Sequence, residues 1–315
     1  MTTTLELTGL DAQNPLAFLA ALGLLRVLDD HALRMKLERP RLAFDDRGQQ
    51  QPMLSCVNRS FEEVVGVILE DAARRASDPV LQLAYDDNGN RVPATAAKAT
   101  RDLKPSPALA RHILDEAAQA ERPTADLAAA FFSELVQDNN GNTKPTALHF
   151  TAGQQPFLKM VDDLRKGIGP ADLAEALLGP WTGTSTLPSL SWDATVSRQY
   201  ALRATNPAKE KRGSIPAANW LALVGLSFFP VMVLRHRLIT TRVNGGWKDS
   251  VLSWPLWSPL ASSRTVASLL RLDPLRLSAR DRGAMGITLV LSARIQRSDQ
   301  GGYGSFSPAE VRIPT

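Results

Sequence analysis

Leu5–Leu28 reads LELTGLDAQNPLAFLAALGLLRVL, and its reading decides the fold. Leu5 and Leu7 alternate with Thr4, Glu6 and Thr8, the pattern of a strand with one buried face. A turn over Gly9–Gln13 follows. Asn14 then has the side chain of a helix N-cap, and Pro15 suits the first helical position, where its fixed φ fits and its missing N–H costs nothing. From Leu16 to Leu28 the predicted helix is apolar on almost every face, interrupted only by Arg26. Such a helix must be covered on most sides, which places it at the centre of a core. Gly23 in its middle costs about 1 kcal/mol against alanine, so a second backbone is expected to pack close to it.

The rest of the 315-residue chain supplies material for one large or two ordinary domains. Hydrophobic content of 44% and charged content of 22% are globular values that exclude wholesale disorder. The net charge of +4 is a mild excess, compatible with a nucleic-acid partner. One cysteine, Cys56, rules out an internal disulfide and a cysteine-based zinc cluster, so a cytoplasmic location is the expectation. The start MTTTLEL has no basic region of a secretory signal. Pro216–Leu234 has the length of a membrane span, yet Asn219 lies inside it and Pro230 divides it into a buried helix and a strand. The expectation is a soluble protein.

In chain order, strands are predicted over Arg41–Asp45 and Pro52–Val57, joined as a hairpin. Ser60 and Glu63 form a capping box for a helix over Phe61–Arg75. Val80–Tyr85 reads as a strand ending at the turn Asp86-Asp87-Asn88-Gly89-Asn90. A loop over Arg91–Pro107 precedes helices at Ala108–Gln119 and Ala125–Leu135, the latter capped by Thr124. After a second turn, Asp138-Asn139-Asn140-Gly141-Asn142, come a strand at Thr146–Thr151 and helices at Pro156–Lys166 and Ala171–Leu178. Gly179–Pro188 is the expected seam between a lobe over 1–180 and a β-rich lobe over 181–315. Beyond it lie predicted strands at Leu190–Asp193 and Arg198–Ala204, and a charged loop at Asn206–Gly213. A buried helix over Ala217–Phe229 is followed by strands at Val231–Leu234 and Leu238–Val243. Next come an extended Trp254–Pro259, a helix at Thr265–Arg271 capped by Ser262 or Ser263, a long strand at Gly286–Ile295 and an edge strand at Val311–Ile313. The class is α+β: two lobes of mixed sheet and helices around a buried N-terminal helix.

Catalytic signatures are absent. The chain holds no GxxxxGK[ST], GxSxG or GxGxxG, and His31, His112, His149 and His236 are far apart in sequence. The aspartate pairs Asp29-Asp30, Asp45-Asp46, Asp86-Asp87 and Asp162-Asp163 are adjacent residues that point different ways, as caps and turns do. The competing expectation is a metal-dependent nuclease that uses some of these pairs with His149. Basic loops favour nucleic-acid binding instead. Lys209, Lys211 and Arg212 share one loop, Arg198 and Arg203 flank it, Lys98, Arg101 and Lys104 form a second patch, and Arg294 and Arg297 a third. Trp247, Trp254 and Trp257 are candidates for base stacking or for the core.

The opening NPLAFLAALGLLRVL, the stretches TALHFTAGQQPFL (146–158) and SWDATVSRQYALRATNP (191–207), and the closing GGYGSFSP (301–308) carry a family likeness. They resemble the smaller large-subunit-like components of type I-G (formerly I-U) CRISPR–Cas systems. That resemblance implies a non-catalytic subunit of a crRNA-guided surveillance complex, with no cofactor and no metal. Its partners would be crRNA, target DNA, other Cas effector subunits and a separate helicase–nuclease. Lys209, Lys211 and Arg212 fit the flanking-motif loops of related large subunits, with Asn139, Asn140, Asn142, Gln154 and Gln155 as second candidates, because Asn and Gln pair bidentately with adenine and Lys with guanine. The chain departs from the pattern in lacking an obvious C-terminal helical bundle for the displaced strand. A scaffold that touches only protein is a third reading.

Overall fold

The computed structural model describes residues 2–45, 48, 50–57, 59–151, 156–195, 213–298 and 303–313. Strand β1 (Thr2–Glu6) pairs antiparallel with β3 (Pro52–Val57), which pairs with β2 (Arg41–Phe44). The distant β10 (Ala261–Ser262) closes the sheet in the order β1-β3-β2-β10. Helix α1 (Pro15–Met35) begins as the sequence dictates: the Asn14 side chain accepts the N–H of Leu16, with Pro15 as the first residue. It runs past Leu28 to Met35 because nothing stops it; Asp29 and Asp30 are held by Arg39 and Arg26 and do not break the turn.

Helix α7 (Pro216–Gly225) crosses α1 with backbone touching backbone. A Cβ added to Gly23 would lie 1.7 Å from the Leu221 carbonyl oxygen, and one added to Gly225 would lie 2.2 Å from that of Leu19. Only glycine permits that approach. Asn219, the polar residue inside the apolar run, is buried and satisfied: its amide donates to the Ile215 carbonyl and accepts from the Leu190 N–H. Among the described residues no helix is long and apolar enough to cross a membrane.

A second antiparallel sheet meets α1 at Phe18, where the ring of Trp254 stacks, next to Phe44 of the first sheet. It runs β12 (Gly304–Phe306), β11 (Ile287–Arg297), β9 (Val251–Trp257), β8 (Val243–Asn244), with β13 (Glu310–Ile313) also on β11. Trp254 and Trp257 of β9 are core residues. Their indole N–H groups donate to the carbonyls of Ala12 and Leu42, at 3.0 and 2.8 Å, and Trp254 stacks on Phe18. One hydrophobic cluster draws on residues from both sides of Gly179–Pro188.

The remaining elements surround this centre. Helix α2 (Phe61–Arg74) carries the Ser60–Glu63 capping box. Helices α3 (Pro107–Gln119) and α4 (Arg122–Phe131) lead into the hairpin β4 (Phe132–Gln137) and β5 (Thr143–Pro145), and α5 (Phe157–Gly167) and α6 (Pro170–Leu178) follow. The hairpin β6 (Val231–Leu234) and β7 (Arg237–Thr240), then α8 (Ser263–Arg271) and α9 (Ala279–Ala284), complete the set.

Several expectations fail for local reasons. Val80–Tyr85 forms turns, because the Asp78 carboxylate accepts the Val80 N–H and the Asp78 carbonyl accepts that of Gln82. Thr146–Thr151 is no strand either; its carbonyls are taken from outside. Arg297 donates to Ala147 and His149, Trp192 to Leu148, and the Gly304 N–H to Phe150. Leu190–Asp193 is irregular, with Ser191 at φ 67° and the Leu190 N–H given to Asn219. Thr124 does not cap α4, which starts at Arg122 and gives way to β4 at Phe132; the Thr124 hydroxyl binds Asp78 instead. The predicted Leu238–Val243 strand divides at Arg242, whose φ of 65° turns Val243 away to pair with Leu252. The strand expected over Arg198–Ala204 lies outside the described residues.

Candidate nucleic-acid interface

Of the sequence-predicted contacts, Arg198, Arg203, Lys209, Lys211, Arg212 and Gln154 lie outside the described residues. Gln155 lies outside them as well, and of the rest only the loop bearing Lys98 and Lys104 and the turn bearing Asn139, Asn140 and Asn142 are neighbours on one edge. The turns at Asp86 and Asp138 are built alike. Asp86 Oδ1 accepts the N–H groups of Asn88 and Asn90 at 3.0 and 2.8 Å, and Asp138 Oδ1 those of Asn140 and Asn142 at 2.8 and 3.1 Å. Gly89 and Gly141 both sit at φ 79°, which the tight reversal requires. The 91–106 loop lies against both turns: Thr143 donates twice to the Pro105 carbonyl, and Gly89 packs against Ser106.

Lys98, Asn139 and Asn140 are exposed on this edge, Lys104 and Asn142 half-buried. Arg101 turns inward: it is buried, donates to the Leu81 carbonyl at 2.8 Å and reaches Asp162 at 3.4 Å. Asp86, Asp87 and Asp138 offset the lysines, so the edge offers amides for hydrogen bonding more than charge for phosphates.

Six described residues of the nuclease expectation, Asp29, Asp30, Asp86, His149, Asp162 and Asp163, are otherwise engaged. His149 is buried, and its Nε2 meets both Asp102 Oδ1 at 2.8 Å and Thr151 Oγ1 at 3.2 Å. A nucleophile–base–acid relay uses the ring's two nitrogens for different partners; here one nitrogen serves both. Burial alone would push the Asp102 carboxyl up, but the hydrogen bond and charge of His149, with the Leu103 N–H and Lys104, hold it below the usual value. Asp29 is clasped by Arg39, Asp30 by Arg26, Asp162 by Arg165 and Lys166, and Asp163 by Lys159. Among the described residues no group of three or more His, Cys, Asp or Glu is arranged to hold a metal ion. Of the third basic patch, Arg294 is exposed, whereas Arg297 donates inward to the Ala147 and His149 carbonyls. Its guanidinium lies 4.2 Å from the centre of the Trp247 ring, and burial brings its pKa down to about 10. Trp247, 53% exposed, is thus partly covered by this cation.

Among the described residues, six guanidinium groups gather at a place that no run of basic residues marks in the sequence. Helices α1, α4 and α8 and the 3-10 turn Leu226–Phe228 enclose a cleft of about 800 Å³. Arg26, Arg34, Arg39, Arg122, Arg264 and Arg271 line it, against Asp29, Asp30, Glu121 and Asp126, an excess of two positive charges. The carboxylates are already matched. Asp29 holds Arg39; Arg26 spans Asp30 at 2.9 Å and Asp126 at 2.7 Å; Glu121 holds Arg74.

Helix α8 supplies the remainder. Ser262 caps it by accepting the Thr265 N–H, and Val266, Leu269 and Leu270 bury its inner face. Arg264 and Arg271, two turns apart, therefore stand on the solvent face. Among the described residues neither forms an ion pair. Burial raises the Asp30 carboxyl above its usual value, only partly opposed by Arg26 and Arg75. The arginines escaped sequence reasoning because they are scattered from position 26 to 271. The one available signal was Arg26, the lone charge in an otherwise apolar helix.

No family model, curated protein or solved structure matches the chain.

Proposed function

We propose that the protein is a non-catalytic nucleic-acid-binding subunit of a crRNA-guided effector complex, acting in the cytoplasm without a cofactor. The observation that carries nucleic-acid binding is the arginine-lined cleft, whose rim residues Arg264 and Arg271 pair with no carboxylate among the described residues. Guanidinium groups in a groove are suited to phosphodiester oxygens, and counterion release then supplies affinity. The edge bearing Lys98, Lys104, Asn139 and Asn140 would add polar contacts to base edges or to the sugar–phosphate chain. Membership of a crRNA-guided complex rests on the sequence resemblance. The rival nuclease reading is disfavoured by the way Asp29, Asp30, His149, Asp162 and Asp163 are held by partners of their own.

The test is a pull-down from cells expressing the neighbouring genes, followed by sequencing of the bound RNA. A uniform small RNA with a repeat-derived end is expected. Protein that returns with its partners but without RNA would count against the reading.

A further inference from the structure

Among the described residues, Trp247 is the one phenylalanine, tyrosine or tryptophan that stands exposed, at 53%. It lies in the loop between β8 and β9, and that loop is closed on itself. Asp249 Oδ1 accepts the Gly246 N–H at 2.7 Å. Gly245 sits at φ 100°, so near the Asp249 carbonyl oxygen that an added Cβ would lie 2.5 Å from it. At the foot of the loop the Ser250 carbonyl accepts the Ile295 N–H at 2.8 Å. Arg297 lies against the indole, its guanidinium 4.2 Å from the centre of the Trp247 ring. That guanidinium is itself fixed: it donates to the carbonyls of Ala147 and His149 at 2.6 and 2.8 Å and lies 5.2 Å from the centre of the Phe150 ring. One face of the indole is therefore taken by a stationary cation. With that face covered, an exposure of 53% leaves the opposite face open to solvent.

We propose that the open face of Trp247 stacks an unpaired nucleobase. This deepens the nucleic-acid reading given above and rests on it. Stacking of a base on an aromatic side chain tolerates any sequence, because every base has a π-face; what it asks of the protein is a ring with a free face. The closed loop and Arg297 hold the ring before a ligand arrives, so little conformational freedom is lost on binding. The surroundings select a base over a protein side chain. An aromatic anchor of a protein interface sits among packed neighbours that exclude water, whereas the exposed residues around Trp247 in the loop are Asn244, Gly245, Lys248 and Asp249. Lys248, and Arg294 opposite Val251 at the foot of the loop, are exposed cations suited to the phosphates beside a stacked base. Within a duplex each base is covered on both faces by its neighbours, so the ring selects a single strand.

Fluorescence titration of the full chain tests this with three probes: single-stranded DNA of mixed sequence, the same strand in a blunt duplex, and an abasic strand of equal length. The single strand should bind about tenfold more tightly than the abasic one and quench the emission of Trp247, while the duplex should leave that emission unchanged. Trp247→Ala should lose about tenfold in affinity for the single strand and keep its affinity for the abasic strand. Its salt slope should stay as in the wild type, because stacking releases no counterions. Trp247→Phe, which keeps an aromatic face, should retain part of the affinity while losing the quench. Equal binding of the single strand by wild type and Trp247→Ala overturns the inference and leaves the nucleic-acid reading standing. If Trp247→Ala then loses a partner subunit in the pull-down, the ring is a protein contact instead. Parallel loss for the single and abasic strands also overturns the inference, since no base would then be read by the ring. If no probe binds at low salt, the inference and the nucleic-acid reading fall together.

Discussion

Replacing Gly23 by alanine sets two effects against each other. In an exposed helix interior, Gly→Ala gains about 1 kcal/mol. At Gly23 the new Cβ would stand 1.7 Å from the Leu221 carbonyl oxygen and 2.6 Å from its carbon. Restoring ordinary contact requires α1 and α7 to part by about 1.5 Å or more. The obstructing atoms are backbone, so no rotamer change relieves them. Overpacking costs about 1–3 kcal/mol where side chains can yield, and this site lies at the upper end or beyond. The expected net loss is about 3 kcal/mol. Denaturant unfolding followed by tryptophan fluorescence measures it, since Trp220 and Trp254 lie in the same core. Gly225→Ala should act similarly, and the double variant should lose less than the sum, because one separation accommodates both methyl groups. Gly66→Ala is the control: its Cβ meets nothing within 4 Å, so it should stabilise α2. Unchanged or increased stability in Gly23→Ala would refute the argument.

Arg101→Ala should destabilise by about 1–3 kcal/mol by leaving the buried Leu81 carbonyl without its donor, with no change in nucleic-acid affinity or salt dependence. Asp102 titrates below its unfolded value near 3.8, so its contribution is present above that pH and is lost as pH falls through the folded value. Asp102→Asn should accordingly lower stability at neutral pH and flatten the acid limb of the stability curve; an unaltered limb would contradict the pairing with His149. Alanine at Lys209, Lys211 and Arg212 together should lower target-DNA affinity and reduce its salt slope by up to about three units. An unchanged slope removes that loop from the interface.

The elements legible in the sequence are those whose determinants are local. Asn14-Pro15 set the start of α1, and Ser60 with Glu63 set that of α2, because a cap is written in adjacent residues. Gly23 foretold a close backbone, though not which one. The failures share a cause in tertiary contacts. TALHFT has strand residues, yet its carbonyls are claimed by Arg297, Trp192 and Gly304 from far along the chain. Val80–Tyr85 was overruled by one carboxylate, that of Asp78. The site followed the same rule. Basic residues close in sequence read as a patch, yet one of them, Arg101, turns inward. The arginines of the cleft come from separate elements, which only the crossing of α1 with its neighbours brings together.

The most direct test of nucleic-acid binding through the cleft is the salt dependence of affinity for wild type and for Arg264→Ala/Arg271→Ala. Both residues are exposed and unpaired among the described residues, so the variant should fold as the wild type does. If the cleft holds the strand, the slope of log affinity against log salt should fall by about 1.4–1.8 units for two phosphates released. An identical slope and affinity in the two proteins would contradict the assignment of the cleft.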